Sequence, residues 1–350
     1  MTRSTPNFDA LRQWLRANRI ANDIREVGRF AGGTQNVVLK VELDGRSAVL
    51  RCPPEHPRPN SNRTLGREIT VLRSLAGTDV PHPRLIAGCE DPSVLGFAFL
   101  IMDYIDGINP GQEVSEAQRA DPVLRHGQGL AVAEALATLS RIDPSGVGLD
   151  GMRKPGSFLA KQVPQWMAVL DSYHSVPGWD PSGLPDVGAI GHWLEEHSPQ
   201  DAAAGIMHGD FHLSNVLLAP STPAVAAIID WEMCTVGDPL LDLGWLIVTW
   251  AEEPHGLKST SPLALLGGLP TRAEMVHAYV DAGGRAVGAI DWYTALAGFK
   301  LGIILEGTWV RAGAGKAPIE TGRLLHDHAV GLLSLAKSIT RGKWSMAAQL

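Results

Sequence analysis

Three polar residues in this 350-residue chain have the types and spacing that phosphoryl transfer requires. Asp210 and Asn215 lie in the segment 208–215, and Asp230 follows the apolar run 224–229. Transfer from Mg-ATP needs one carboxylate to take the proton of the acceptor hydroxyl. It also needs an amide oxygen and a second carboxylate to hold magnesium. The three residues therefore predict a small-molecule kinase.

The composition is that of an ordinary globular protein, with 45% hydrophobic and 19% charged residues. The chain is longer than one average domain, so we expect two lobes, residues 1–105 and 106–350. The net charge of -7 argues against nucleic-acid or membrane partners, because both favour a basic face. A small molecule with a hydroxyl group is the expected partner, and the protein is expected to be a monomer or a homodimer.

Cysteine spacing and the apolar runs indicate the compartment. The three cysteines are widely spaced and none belongs to a CxxC pair, which favours reduced thiols. The N-terminal segment is amphipathic and does not resemble a signal peptide, and apolar runs such as 243–251 are too short to span a bilayer. We therefore expect a cytoplasmic protein.

A β-hairpin is predicted where Asp44-Gly45 separates two apolar segments. In the two-residue register Arg51 is opposite Val38, so both side chains point to one face of the sheet. The loop before this hairpin contains Gly32, Gly33 and Thr34. We expect the loop, Val38 and Arg51 to contact the nucleotide. The alternative is that the two glycines are merely a turn, because the segment is not GxGxxG.

Residues 64–76 are predicted to form a helix, and Glu68 falls on its apolar stripe. A carboxylate that faces the core needs a cation, and Arg51 is the natural candidate. Such a pair would steady the side chain that holds the ATP phosphates. The alternative places Glu68 at the solvated edge of the stripe, paired with Arg73 or with nothing.

Residues 97–102 read as a buried strand that leads into a short linker. There the carbonyl oxygen of Asp103 and the amide of Ile105 are predicted to pair with the adenine edge; a core strand followed by a turn is the alternative. Beyond residue 107 the pattern is helical. The predicted helices are 130–139, 158–173, 240–250, 271–280, 292–311 and 322–339.

The segments 208–215 and 228–245 resemble the aminoglycoside phosphotransferase and choline kinase group of kinase-like enzymes. The resemblance implies an α+β, two-lobed protein-kinase-like fold, with a small N-terminal β-sheet lobe that carries a helix and a larger, mainly helical C-terminal lobe. It implies that Asp210 is the catalytic base and that Asn215 and Asp230 bind Mg²⁺. ATP is the implied nucleotide, with GTP not excluded.

The same resemblance implies that His208 braces the catalytic loop and that Asp242 bonds back to it. Arg51 departs from the lysine common in the group. Arginine keeps the charge and can bind a phosphate or a carboxylate through two nitrogens, and its side chain is longer than that of lysine.

The subgroup that this chain resembles includes kinase domains fused to acyl-CoA dehydrogenases, for which a hydroxyacyl-CoA is the implied acceptor. An aminoglycoside or another antibiotic is the alternative acceptor. The distal helical segments carry more basic than acidic residues, which favours a neutral or anionic acceptor unless these residues are only a solvated face. The residues are Lys300, Arg311, Lys316 and Arg323, against Glu306 and Glu320.

Two other classes of protein have to be weighed. His208, Asp210 and His212 alternate, so on a strand they would share one face and could bind zinc as in a metallohydrolase. That interpretation leaves Asn215 and Asp230 unexplained. A non-catalytic nucleotide-binding module is the other alternative, but all three residues of the kinase pattern are present. Glu232 is expected in a cap or on a solvated face.

Overall fold

The computed structural model describes residues 6–30, 36–54, 57, 59–200, 203–250, 252 and 261–350. The loop residues Gly32, Gly33 and Thr34 lie outside the described residues. The chain divides into two compact units. The first comprises residues 1–107 and 226–234, and the second comprises residues 108–225 and 235–350. The lobe boundary at residue 105 stays a prediction.

The first unit contains a five-stranded antiparallel sheet with the strand order β1-β2-β3-β5-β4. Its elements in chain order are α1 (Phe8–Ala17), β1 (Ile24–Arg29), β2 (Val37–Leu43), β3 (Arg46–Cys52), α2 (Ser61–Ser74), β4 (Leu85–Cys89) and β5 (Phe99–Asp103). One face of the sheet and α1 share a hydrophobic core, whose members include Leu11, Leu15, Leu39, Leu50 and Phe99.

The β2–β3 hairpin has the predicted register. Asp44 and Gly45 have φ angles of 44° and 85°, the left-handed pair that a tight hairpin turn requires. Arg51 is opposite Val38, as expected. The side chain of Asp44 also accepts hydrogen bonds from the amides of residues 22 and 23, which ties the turn to the start of β1. Arg51 therefore points away from the core that contains Leu50.

Helix α2 begins at Ser61, three residues before the predicted start at Thr64. The first turn consists of polar, partly exposed residues, which add nothing to the apolar periodicity by which a helix is recognised. Glu68 is 1% exposed and lies on the buried face of the helix. The prediction that this carboxylate faces the core is confirmed.

The second unit is mainly helical. Its helices are α3 (Glu116–Ala120), α4 (Pro122–Ser140), α5 (Gln162–Tyr173), α6 (Val187–Glu196), α7 (Leu240–Thr249), α8 (Pro262–Leu265), α9 (Arg272–Asp281), α10 (Ile290–Gly313) and α11 (Ile319–Thr340). This unit also contains the strands β6 (Gly205–Met207), β7 (Val216–Leu218) and β9 (Thr235–Gly237), whereas β8 (Val225–Ile228) lies almost entirely in the first unit. The predicted helices are present, but α4 starts well before residue 130, because its first turns contain polar residues and glycines.

Helices α7 and α10 approach closely at Gly244. A Cβ atom at Gly244 would lie 2.6 Å from the carbonyl oxygen of Tyr293, so any larger residue would push the helices apart. Asp238 supports the same contact, since it accepts hydrogen bonds from the amide of Leu240 at 3.1 Å and from the hydroxyl of Tyr293 at 2.6 Å. In the part of the chain that is described, no helix is long and apolar enough to cross a membrane.

Candidate active site

The segment that follows β6 is held by a carboxylate from α7. Asp242, in the first turn of α7, accepts hydrogen bonds from the backbone amides of His208 at 2.6 Å and Gly209 at 2.9 Å. Gly209 has a φ of +86°, a left-handed conformation that suits glycine. The loop thus turns sharply and presents Asp210, whose amide donates to Nδ1 of His208 at 3.3 Å.

The carboxylate of Asp210 is oriented by three side chains of the second unit. Nε1 of Trp245 donates to Oδ1 at 3.1 Å, and Nδ2 of Asn215 donates to Oδ2 at 3.1 Å. Nε2 of His212 lies 3.5 Å from Oδ2. The side chain of Asp210 nevertheless remains 38% exposed, so a small molecule can reach it.

Burial raises the pKa of Asp210, but the hydrogen bond and charge of His212 and the charge of His208 outweigh it. The net result lowers the pKa to about 2. Asp210 is therefore ionised at neutral pH and can accept a hydrogen bond from a hydroxyl group.

The side-chain oxygen of Asn215, Oδ1, is available to a ligand. Its Nδ2 donates to the carbonyl and carboxylate oxygens of Asp210, and among the described residues its Oδ1 accepts no hydrogen bond. His212 caps the turn that carries Asn215, because its Nδ1 accepts from the amide of Ser214 at 3.2 Å. An amide oxygen in this position is an appropriate ligand for magnesium.

The same geometry removes the basis of the zinc interpretation. Residues 208–212 form a loop and not a strand, so their alternation does not put three ligands on one face. His208 is fully buried. Within the described ranges, no group of three or more histidine, cysteine, aspartate or glutamate side chains has an arrangement that would hold a metal ion.

In the first unit, Arg51 binds three carboxylates. Its Nη1 lies 2.8 Å from Oε1 of Glu68, as the sequence predicts. Its Nη2 lies 2.7 Å from Oδ1 of Asp230 and 3.1 Å from Oε2 of Glu232. Both terminal nitrogens are thus engaged, and a phosphate contact would require Arg51 to exchange or share one of these partners.

Asp230 has a strained backbone. Its φ of 68° and ψ of 61° are left-handed, which is uncommon for a residue with a side chain and is typical of functional positions. The next residue fixes this conformation, because Trp231 is buried and its Nε1 donates to the carbonyl of Ile228 at 3.0 Å. The side chain of Asp230 remains 39% exposed.

The Arg51 cluster is rich in carboxylates. Three of them lie within 3.1 Å of one guanidinium. Burial, opposed by Arg51 and reinforced by Asp230 and Glu232, raises the pKa of Glu68 to about 7. A divalent cation on Asp230 would offset part of the negative charge of these carboxylates, and oxygen donors fit magnesium.

The other residues predicted to hold the nucleotide lie on or beside the same sheet. Val38 is half-buried and is the register partner of Arg51. Asp103 ends β5, and its carboxylate lies 3.1 Å from Nε of Arg84. The amide of Ile105 makes no hydrogen bond with any residue that the structure describes. The proposed adenine contacts stay a prediction.

Three residues that contact candidate groups within their own unit were not recognised from the sequence. In the first unit, Glu232 is 7% exposed and accepts from Asn36 at 3.0 Å, so its expected place in a cap or on a solvated face is wrong. In the second unit, Trp245 contacts Asp210, and Lys300 lies over the Trp245 ring with Nζ 4.6 Å from the centroid. Only an aromatic residue in the middle of α7 signalled Trp245, and nothing local signalled the other two.

Comparison with solved structures defines the class of the fold. A candidate aminoglycoside phosphotransferase from Ralstonia eutropha superimposes with a TM-score of 0.76 at 28% identity, covering 95% of this chain and 99% of the other. A thermostable mutant of aminoglycoside phosphotransferase APH(4)-Ia, in complex with ADP and hygromycin B, shares the fold at 16% identity with a TM-score of 0.60, over 96% and 99% of the two chains. The fold is the kinase-like fold of the aminoglycoside phosphotransferases, and the predicted fold class is confirmed.

The sequence profile of the phosphotransferase enzyme family matches residues 26–262, and the chain belongs to this family. Its enzyme class, a small-molecule kinase, agrees with the prediction. Acyl-CoA dehydrogenase family member 10 of Mus musculus is 27% identical over 324 residues, which cover 89% of this chain. The chain spans only 29% of the length of that relative and 38% of another from Arabidopsis thaliana.

Proposed function

We propose that this kinase transfers the γ-phosphoryl group of Mg-ATP to a hydroxyl of a metabolic compound, with Asp210 as the catalytic base. The observation that carries the proposal is the Asp210 carboxylate, which is 38% exposed and held by Trp245 and Asn215 at 3.1 Å each. A carboxylate fixed in this way can orient one hydroxyl group, and positioning contributes much of the catalysis in phosphoryl transfer.

The acceptor hydroxyl loses its proton and gains the phosphoryl group. The acceptor hydroxyl donates its hydrogen bond to Asp210, and its oxygen forms the new bond to the γ-phosphorus. The bond between that phosphorus and the bridging oxygen of ADP breaks, and ADP leaves with the electron pair. Because the pKa of Asp210 is only about 2, the proton is expected to transfer late, and Asp210 acts mainly by orientation.

Asn215 and Asp230 are the proposed magnesium ligands. The Oδ1 atom of Asn215 accepts no hydrogen bond from the described residues, which supports this role, as do the exposed, backbone-strained Asp230 and the three carboxylates around Arg51. When bound, magnesium neutralises charge on the phosphate oxygens. Asp242 and His208 have no contact with the acceptor in this proposal; they position the loop that carries Asp210.

We propose that Val38, Arg51 and the loop of Gly32, Gly33 and Thr34 contact the nucleotide, and that the backbone of Asp103 and Ile105 pairs with the adenine edge. Glu68 then acts through Arg51. The nucleotide complexes of the structural neighbours support ATP use, and the GDP complex of aminoglycoside 2'-phosphotransferase-IIIa keeps GTP open.

A hydroxyacyl-CoA is the proposed acceptor. The names of the curated relatives, which belong to acyl-CoA dehydrogenase families, support this class, and the aminoglycoside complexes of the neighbours make an aminoglycoside the competing acceptor. An ADP-release screen decides between them. The panel contains hydroxyacyl-CoAs, hydroxy acids, aminoglycosides, choline, sugars, homoserine and macrolides, with Asp210→Asn as the inactive control. Efficient turnover of an aminoglycoside, and none of a hydroxyacyl compound, would refute the acceptor class.

A further inference from the structure

The cation of Lys300 lies beside the proposed catalytic base and forms no ion pair with any of the described residues. Its Nζ is 4.6 Å from the centroid of the Trp245 ring and 5.5 Å from that of Trp166. The edge of the same Trp245 ring donates to Asp210. Lys300 and Asp210 are thus separated by a single indole ring, with Lys300 over its face and Asp210 at its Nε1 edge.

The two carboxylates whose charge acts on Lys300 form no ion pair with it. Asp242 accepts from two backbone amides, and Asp210 accepts from Trp245 and Asn215. Both influence Lys300 through charge alone, and Lys300 Nζ forms no hydrogen bond or ion pair with any residue in the described ranges. An ammonium group has three donors, and a cation that is largely withdrawn from water needs an acceptor.

A second donor beside Lys300 is also without an acceptor. Nε1 of Trp166 is buried and has no hydrogen-bond partner among the residues described. Such buried unpaired donors are rare in folded proteins and need an explanation. The other basic residues of the distal helices differ from Lys300, because Arg311, Lys316 and Arg323 are exposed to solvent, whereas Lys300 is half-buried.

We infer that Lys300 binds an anionic oxygen of the acceptor, a carboxylate or a phosphate, while the acceptor hydroxyl lies at Asp210. This inference rests on the proposed function and narrows it to acceptors with a negative charge. Burial lowers the pKa of Lys300, and the charges of Asp242 and Asp210 oppose that effect. The indole faces of Trp245 and Trp166 favour the charged form as well. A polycationic acceptor would be repelled at this position.

The test compares matched acceptors that differ only in charge, in the ADP-release assay. One pair is an ω-hydroxy acid and its amide, and the other is a hydroxyacyl-4′-phosphopantetheine thioester and the corresponding pantetheine thioester, which lacks only the phosphate. The variants are Lys300→Met, which keeps the length of the chain, Lys300→Arg, which keeps the charge, and Lys343→Met as a control at an exposed lysine.

We expect the wild type to prefer the anionic member of at least one pair. In Lys300→Met, the ratio of kcat/KM for the anionic over the neutral member should fall about tenfold to a hundredfold, mainly through KM, since a charge-assisted hydrogen bond is lost. Lys300→Arg should restore the preference, and Lys343→Met should keep it. A preference confined to the acid pair identifies a carboxylate, and one confined to the thioester pair identifies a phosphate.

No preference in the wild type, or an equal loss for charged and neutral acceptors in Lys300→Met, would overturn the inference. If no acceptor supports ADP release, the proposed acceptor class is wrong. The role of Lys300 is then tested by measuring the binding of anions to the protein. Tryptophan fluorescence is then titrated with the hydroxy acid and with inorganic phosphate. Binding that is lost in Lys300→Met supports the inference, and no binding to the wild type, or equal binding to both proteins, contradicts it.

Discussion

The Arg51 guanidinium is expected to contribute far more to stability than the Glu68 carboxylate, although the two form one ion pair. Replacement of Arg51 by Met removes the guanidinium that Glu68, Asp230 and Glu232 share. Replacement of Glu68 by Gln leaves Arg51 bound to two carboxylates and removes one carboxylate from the cluster. Both variants therefore remove the Arg51–Glu68 ion pair, but the first leaves three carboxylates and the second leaves a guanidinium with two carboxylates.

The burial of each side chain sets the magnitudes. The Arg51 and Glu68 side chains are 8% and 1% exposed, and breaking a buried pair by removal of one partner costs about 3–5 kcal/mol. We expect that cost for Arg51→Met. In Glu68→Gln the amide oxygen can still accept from Nη1 of Arg51, so the expected cost is about 1 kcal/mol, that of an ordinary hydrogen bond.

Unfolding in urea, extrapolated linearly to water, measures these free energies. The matched control is Arg25→Met, which removes a pair with Glu42 in the same sheet; the Arg25 side chain is 65% exposed, so the expected cost is below about 1 kcal/mol. The double variant of Arg51 and Glu68 should lose less free energy of unfolding than the two single variants together. Its increase in KM for ATP should likewise be smaller than the two single increases combined. If Arg51→Met costs no more than Arg25→Met, or Glu68→Gln costs as much as Arg51→Met, the shared-cation reasoning is wrong.

Three further predictions concern the reaction. Asp210→Asn should lower kcat by about 10²–10⁴ while the Kd for ADP, measured by calorimetry, changes little; wild-type turnover would exclude Asp210 as the base. Asn215→Ala and Asp230→Ala should each weaken magnesium-dependent ATP binding, and chelation of magnesium should stop the wild-type reaction, with activity regained on addition of Mg²⁺; unchanged ATP affinity in both variants would contradict the metal assignment. Burial raises the pKa of Asp242 to about 6 against its two backbone hydrogen bonds. As the pH falls through 6, Asp242 should gain a proton and hold the loop less well, so kcat should decrease. Protonation of Asp242 also stabilises the folded protein, because its pKa there exceeds the ordinary value of 3.8. This stabilisation is fully present below pH 3.8 and is lost as the pH rises through about 6. Profiles of kcat and Tm against pH should show opposite trends in the wild type, and both should flatten in Asp242→Asn; a wild-type kcat that is constant from pH 5 to 8 would contradict this.

Features encoded by short stretches of sequence were predictable. The dipeptide Asp44-Gly45 determines the hairpin turn, and strand periodicity then places Arg51 opposite Val38. The helical period places Glu68 on the buried side of α2. In each case neighbouring residues determine the outcome, so a single sequence contains the information.

Contacts between distant segments were predictable only where the family resemblance supplied them, as for Asp242 and the loop of His208 and Gly209. Glu232 is 181 residues from Arg51, and no local pattern distinguishes a buried glutamate from an exposed one. Lys300 reaches Trp245 because α7 and α10 pack closely at Gly244, an approach that depends on how two helices dock. In the sequence, Lys300 is one of four basic residues of the distal helical segments. Only the fold shows that Lys300 is half-buried and that the other three are exposed.

The arginine at position 51 and the buried Glu232 are best understood as one feature. A guanidinium has a planar fork of donors, whereas an ammonium is a compact point charge. With Nη1 on Glu68, the fork still places Nη2 between Asp230 and Glu232, so one side chain connects α2 to the turn that carries a proposed magnesium ligand. A lysine could not present two separate nitrogens to these groups, so Glu232 would lose its ion pair with residue 51. An arginine at position 51 is therefore matched to the buried carboxylate of Glu232. The guanidinium that binds Glu68 also restrains the strained Asp230.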